Sequence, residues 1–228
     1  MKSFSRLALA AVAVLVSATL AIAQTPSGLV NKLEVQKLVA AGTPEANATL
    51  AGHFAALADS YTAEAARHKD MAQAYRAGSP RSPVSGAVAH CDRLATLATE
   101  SAAEAREMVT YHEQLAGGNA ATAPKNAGEF HGGKGAPEPT AVDLHHLAMM
   151  ARTRAEHLSL QEYFATLATK NTAEAEDYTT MAKAYRAGVR KGIYDAAVTF
   201  DRLARIARDA AKEAAAAASL HKQLANIG

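Results

Sequence analysis

HFAALADSYTAEAARHKDMAQAYRAG, residues 53–78, recurs as YFATLATKNTAEAEDYTTMAKAYRAG, residues 163–188, in register at an offset of 110 with no gap. A second matching segment follows each copy at an offset of 109, AHCDRLATLA from Ala89 and VTFDRLARIA from Val198. Both copies then close alike, in HEQLA from His112 and HKQLA from His221. A repeat of this length, made of two helical patterns, is one supersecondary unit used twice. The expected fold is all-α: two tandem antiparallel helical hairpins related by a pseudo-twofold repeat, in a four-helix-bundle-like arrangement, with a short N-terminal helix before them.

Within each unit the apolar spacing alternates four and three residues, the pattern of helices packed nearly antiparallel along a narrow seam. On the first helix the seam runs through Phe54, Leu57, Tyr61, Glu64, His68, Met71 and Tyr75; on the second it runs through Cys91, Leu94, Ala98, Ser101, Ala105, Met108 and His112. Folding this hairpin about Ser79-Pro80-Arg81-Ser82-Pro83 pairs positions whose numbers sum to about 159. Phe54 then meets Ala105 and Tyr61 meets Ala98, large against small, as a packed interface requires. The same register sets His68 opposite Cys91 and Asn47 opposite His112, and in the second copy Tyr178 opposite Phe200 and His157 opposite His221.

The punctuation supplies the remaining boundaries. Met1 to Arg6 carries Lys2 and Arg6, an apolar run follows to Ile22, and Ala21-Ile22-Ala23 precedes Gln24, which reads as a secretory signal peptide over residues 1–23 with an A-x-A cleavage site. The run is short for a membrane span of about 20 residues. The first hairpin unit occupies 24–117. Within it, Val30 to Ala41 is a short helix, and Thr43-Pro44-Glu45 restarts the chain with a cap, a proline at the first helical position and an acid at the N-terminal dipole. Residues 118–139 are rich in Gly, Ala and Pro and read as a linker. The second unit occupies 140–228, and because no proline follows Pro139, Thr140 is expected to open one helix continuing to Ala187.

Removal of the leader takes away two of the 24 Lys+Arg and none of the 22 Asp+Glu, leaving a formally neutral chain. Nucleic-acid binding shows a basic surplus on one face, so the balance argues against nucleic acid and against an anionic membrane surface. With no membrane span after leader removal, the expected setting is the periplasm or the exterior. A protein partner or a second copy of the chain is the partner class that remains.

Chemistry-bearing residues are few. No Gly-rich phosphate loop, nucleophile elbow or Ser/His/Asp order can be assembled, so the chain does not read as an enzyme. Cys91 is the only cysteine. It is a buried small hydrophobe, a metal ligand or an intermolecular bridge. Asn47, His112, His157 and His221 lie at the hairpin ends away from the turns. With both turns at one end of the molecule, three imidazoles and one amide would converge in a single layer, with His145 and His146 extending the cluster. Neutral imidazole binds divalent transition metals, and bundle cores are where such sites form. The candidate metal ligands are therefore His112, His157 and His221, with His68 and Cys91 as a second site; the competing reading is histidines hydrogen-bonded within the structure. Glu64 and Glu174 occupy matching seam positions, where each is a ligand or acid/base group or reaches the seam edge to water or an Arg. Met149, Met150 and Tyr61, Tyr75 and Tyr185 are expected in the core. Two functions follow: a periplasmic bundle binding a transition metal or small cofactor through histidines, or a structural or protein-interaction module with no bound small molecule.

Overall fold

The structure, a computed structural model, describes residues 29–78, 85–117, 140–187 and 193–227. The leader, the linker at 118–139 and the turn at 79–84 lie outside the described residues. Six helices follow in order: α1 (Lys32–Ala41), α2 (Pro44–Gly78), α3 (Ser85–Leu115), α4 (Ala141–Met150), α5 (Arg154–Ala187) and α6 (Ile193–Ile227). The described residues contain no strand. None of these helices is long and apolar enough to cross a membrane.

Local chemistry accounts for the boundaries. Asn31 caps α1 by accepting from the Glu34 N–H at 2.9 Å, and Gly42 ends it in the left-handed region (φ 58), its N–H donating to the Leu38 carbonyl. A side chain there would be strained, which is the use of glycine at a helix terminus. Thr43 accepts from the Ala46 N–H and opens α2.

The second unit departs from expectation at its start. Thr140 opens only α4, through a reciprocal capping box with Asp143. The chain breaks at Ala151 and starts again at Thr153, which accepts from the Glu156 N–H while the Glu156 carboxylate accepts from the Arg152 and Thr153 N–H groups at 2.9 Å each. No proline marks this restart, but Thr153 is the repeat equivalent of Thr43, and Thr-x-x-Glu is a capping box. Each short helix therefore precedes a long one, α1 before α2 and α4 before α5.

α2 packs along α3 and α5 along α6, and the two helix pairs meet through α3 and α6. Asn47–His112 near one end and Arg76–Asp92 near the other show α2 and α3 running antiparallel. Alanines such as Ala98, Ala102, Ala207 and Ala214 let α3 and α6 approach closely, whereas α2 and α5 stay apart and are joined through long side chains such as Tyr61 and Tyr178. Small residues on one side and large on the other keep such a core filled.

The pairs are laid head to tail. Leu50, Phe54 and Met108, far from the turn of their own pair, share a core with Met181, Tyr185 and Phe200 near the opposite turn. Met71, Tyr75 and Leu94 share a second core with Leu160, Phe164 and Leu224. The helix ends that flank the two connections therefore lie at opposite ends of the core, so the condition under which three imidazoles would share one layer is not met. Val30, just before the α1 cap, and Val35 of α1 join the first core, and α4 adds Leu144 and Ala148 to the second. Both short helices touch α2 and α5 and cover the side those long helices leave open.

α4 is seated on the end of α2. A Cβ at Gly78 would stand 2.8 Å from the Met149 carbonyl oxygen, and the Gly78 carbonyl accepts from Arg152 at 3.1 Å. Alanine ordinarily gains roughly 1 kcal/mol over glycine within a helix. Here the obstacle is backbone, which cannot swing away, so Gly78→Ala is expected to displace α4 and lower the melting temperature. Hydrogen exchange should quicken across 141–150 while α5 and α6 keep their protection; unchanged exchange in α4 would contradict the seating.

Candidate functional site

Each end of the helical core holds a polar chain crossing from one helix pair to the other. At the first end, His112 on α3 has Nδ1 2.9 Å from Asn47 Oδ1 on α2 and Nε2 2.8 Å from the Tyr185 hydroxyl on α5. Asn47 Nδ2 donates to the Thr43 carbonyl, which leaves Oδ1 to accept. His112 Nδ1 therefore carries the proton, and Nε2 accepts from the Tyr185 O–H. Phe54 stacks on the imidazole at 5.5 Å and 6°.

The second end repeats the first with one exchange. His221 on α6 has Nε2 2.9 Å from the Tyr75 hydroxyl on α2 and Nδ1 3.2 Å from His157 Nδ1 on α5. His157 stands where the first copy has Asn47. The analogous assignment has Tyr75 donating to His221 Nε2 and His221 Nδ1 donating to His157 Nδ1. Phe164 stacks on His221 at 5.7 Å and 5°, as Phe54 does on His112.

Asn47–His112, His157–His221 and Tyr178–Phe200 thus meet as the register anticipates. His112 does not join the other two, because the head-to-tail packing puts it at the opposite end. His68 and Cys91 are both fully buried. The tyrosine partners of the histidines were missed. Their signal is the pentapeptide Ala-Tyr-Arg-Ala-Gly, identical in both copies (74–78 and 184–188) where flanking residues vary. His53 was missed too; it accepts from the Val30 N–H through Nδ1 at 3.1 Å and fixes the chain entering α1.

Burial keeps these imidazoles neutral. It holds His112 down to about 3, helped by nearby His53, and His221 down to about 3, helped by His157 and His90; His53 is held to about 4. His157, nearer the surface, is lowered by burial against the opposing pull of Glu156. Burial also pushes the Cys91 thiol up to about 12, which makes it a poor nucleophile and ligand.

A third polar group lies midway. Tyr61 donates to Glu174 at 3.3 Å and its oxygen receives the Tyr178 hydroxyl, a chain joining α2 to α5. Burial raises the Glu174 carboxyl to about 7 against the pull of Lys170. Burial also pushes Glu64 upward, but His68, Lys170 and Arg67 outweigh it and hold this carboxyl below its usual range. Lys170 Nζ stands 4.0 Å from Glu64, a lysine where an arginine or water was expected. His68 Nε2 is 3.9 Å from Glu64 Oε1, too long for a direct hydrogen bond. Tyr61, Glu64, Ser101, Asn171 and Glu174 line a cavity here of about 10 Å³, the size of a single water.

Among the described residues, no three His, Cys, Asp or Glu side chains converge in a group that would hold a metal ion. The geometry instead supplies buried hydrogen-bond chains linking the pairs. Replacing Tyr75 or Tyr185 by Phe leaves a buried imidazole Nε2 without its donor, at a cost of about 1–3 kcal/mol each. The two sites share no partner, so the losses in urea denaturation should add in the double variant; a clearly non-additive result would mean the ends are coupled.

The pH dependence has a definite sign. His53, His112 and His221 have folded values below the unfolded 6.5, so their contribution is complete above pH 6.5 and is lost as pH falls toward 4. Each loses about 1.4 kcal/mol per pH unit. Glu174 works the other way, since its raised value makes protonation favour the folded state between pH 7 and 4.5. Three histidines against one carboxyl leave a net fall of about 3 kcal/mol per pH unit. Stability measured by urea denaturation should drop steeply from pH 6.5 to 5, and a flat profile would mean that these imidazoles are not buried as described.

No known protein family matches the chain, and no curated protein or solved structure is significantly similar to it.

Proposed function

We propose that the chain is an exported, non-enzymatic helical protein, a duplicated hairpin closed into one four-helix bundle, that works through its outer surface rather than by holding a metal or cofactor in its core. The observation that carries this reading is the saturation of His112 and His221, the two histidines of the terminal polar chains. His112 and His221 each have both ring nitrogens engaged by side chains of the chain itself. A metal at either residue would have to displace a buried hydrogen bond, leaving a tyrosine, an asparagine or a second imidazole without a partner. Export is supported by the leader pattern of residues 1–23, which suits a periplasmic or secreted protein.

One observation favours a second reading. The Nδ1 atoms of His157 and His221 lie 3.2 Å apart, a separation that two bonds of about 2 Å to one transition metal ion would span. A ligand that binds only the folded state raises the melting temperature by mass action. Thermal melting at pH 7 with and without Zn²⁺ or Ni²⁺ therefore separates the readings. The surface reading expects no stabilisation that depends on His221. A metal-induced rise of several degrees in the parent, abolished by His221→Ala, would overturn it in favour of a metal at the His157/His221 pair.

A further inference from the structure

α4 reads Ala141-Val142-Asp143-Leu144-His145-His146-Leu147-Ala148-Met149-Met150. Leu144 and Ala148, four residues apart, are its buried residues, and this fixes the rotation of the helix about its axis. His145, His146, Met149 and Met150 are consequently exposed, the methionines at 36% and 41%. That corrects the expectation that Met149 and Met150 belong to the core. A thioether in a core is a flexible filler of gaps. Two adjacent thioethers facing solvent beside two imidazoles need another explanation.

Spacing supplies it. Residues three and four apart on a helix are surface neighbours, with Cβ atoms about 5–6 Å apart. Met149 is three residues and Met150 four residues after His146, so one imidazole and two sulfurs can close on a single ion without a change in backbone. Asp143, three residues before His146 on the same helix, has its carboxylate held by the Thr140 cap. It places a negative charge next to otherwise neutral donors, where a bound cation gains from it. The helix is anchored at this end by the Gly78 contact, which limits the ordering needed on binding.

Donor type selects the ion. Imidazole alone suits zinc, nickel and copper, but neutral thioether sulfur is soft and favours copper(I) over harder divalent ions. We propose that α4 is a copper(I)-binding site, with His146 Nε2 or Nδ1 and the sulfurs of Met149 and Met150 as the three donors. The proposal deepens the reading of a protein that works through its surface, and it uses no residue of the buried polar chains.

The same methionines, with Val142 exposed on the same short helix, also suit an apolar patch for a protein partner. Methionine-to-leucine substitution separates the two, because it keeps size and apolarity and removes only sulfur. The test is anaerobic competition for copper(I) between a chromophoric chelator and the untagged chain, using copper(I) alone as the probe. One equivalent is expected to bind. Met149→Leu with Met150→Leu should weaken binding at least tenfold, as should His146→Gln, without changing the melting temperature of the metal-free protein. Cys91→Ser should bind as the parent does. Full affinity in the double leucine variant, loss of binding in Cys91→Ser, or no competition by the parent would each overturn the proposal. A zinc effect on melting that depends on His221 bears instead on the core, so the two readings fail separately.

Discussion

A hydrogen bond from a tyrosine of one helix pair to a buried histidine of the other is the interaction on which the rest of the structure depends. Tyr185 reaches His112 and Tyr75 reaches His221, both at under 3 Å. Each tyrosine lies near the turn of its own pair and each histidine near the far end of its own pair. Only a head-to-tail arrangement lets both bonds form. With both turns at one end, the tyrosines would gather at one end and the histidines at the other, neither bond could form, and any hydroxyl or imidazole Nε2 left without another partner would be a buried orphan. Each such orphan costs about 1–3 kcal/mol, a large share of the 5–15 kcal/mol that holds a typical domain folded.

The repeats have diverged where this constraint is weakest. Tyrosine, histidine and phenylalanine of the two terminal chains are kept in both copies, while Asn47 is answered by His157 in the role of acceptor. Either residue presents one lone pair to an imidazole N–H, so the exchange preserves the bond. At mid-length Tyr61 is answered by Asn171 and His68 by Tyr178. There only one side forms a continuous chain, from Tyr178 through Tyr61 to Glu174. On the other side His68 makes no hydrogen bond to the described residues. The middle of the molecule is therefore asymmetric and the ends are symmetric.

What could be read from the sequence was whatever acts within one pair. The sum of paired positions follows from a short connection, so Asn47–His112, His157–His221 and Tyr178–Phe200 could be placed in advance. The relation between the pairs could not, because seams of alternating four and three residues fit either orientation equally well. Deciding between them requires matching Tyr185 to His112 across the linker, a single polar contact carrying no periodic signal. The restart at Thr153 was hidden for a local reason: a capping box breaks a helix without proline, and only comparison with Thr43 exposes it. Met149 and Met150 were misplaced because residue type suggested burial, whereas Leu144 and Ala148 had already taken the inward face of α4.

Alanine explains why so much specificity rests on polar groups. Along α3 and α6 about half of the buried residues are Ala, and sliding one helix past the other by two turns would set alanine against alanine again at several positions. Burying a methyl group instead of a longer side chain yields little, since apolar burial is worth about 25 cal/mol per Å², and the difference between registers is smaller still. The hydrophobic term therefore favours association without choosing a register. Phe54 and Phe164 restrict the choice by stacking on His112 and His221, but aromatic rings tolerate a shift of an ångström or more. A hydrogen bond inside a core does not, because its strength falls steeply with distance and angle and the groups it leaves behind are desolvated. In a thin core of this kind, burying His112 and His221 against the tyrosines of the opposite pair is what makes one packing of the two pairs better than its neighbours.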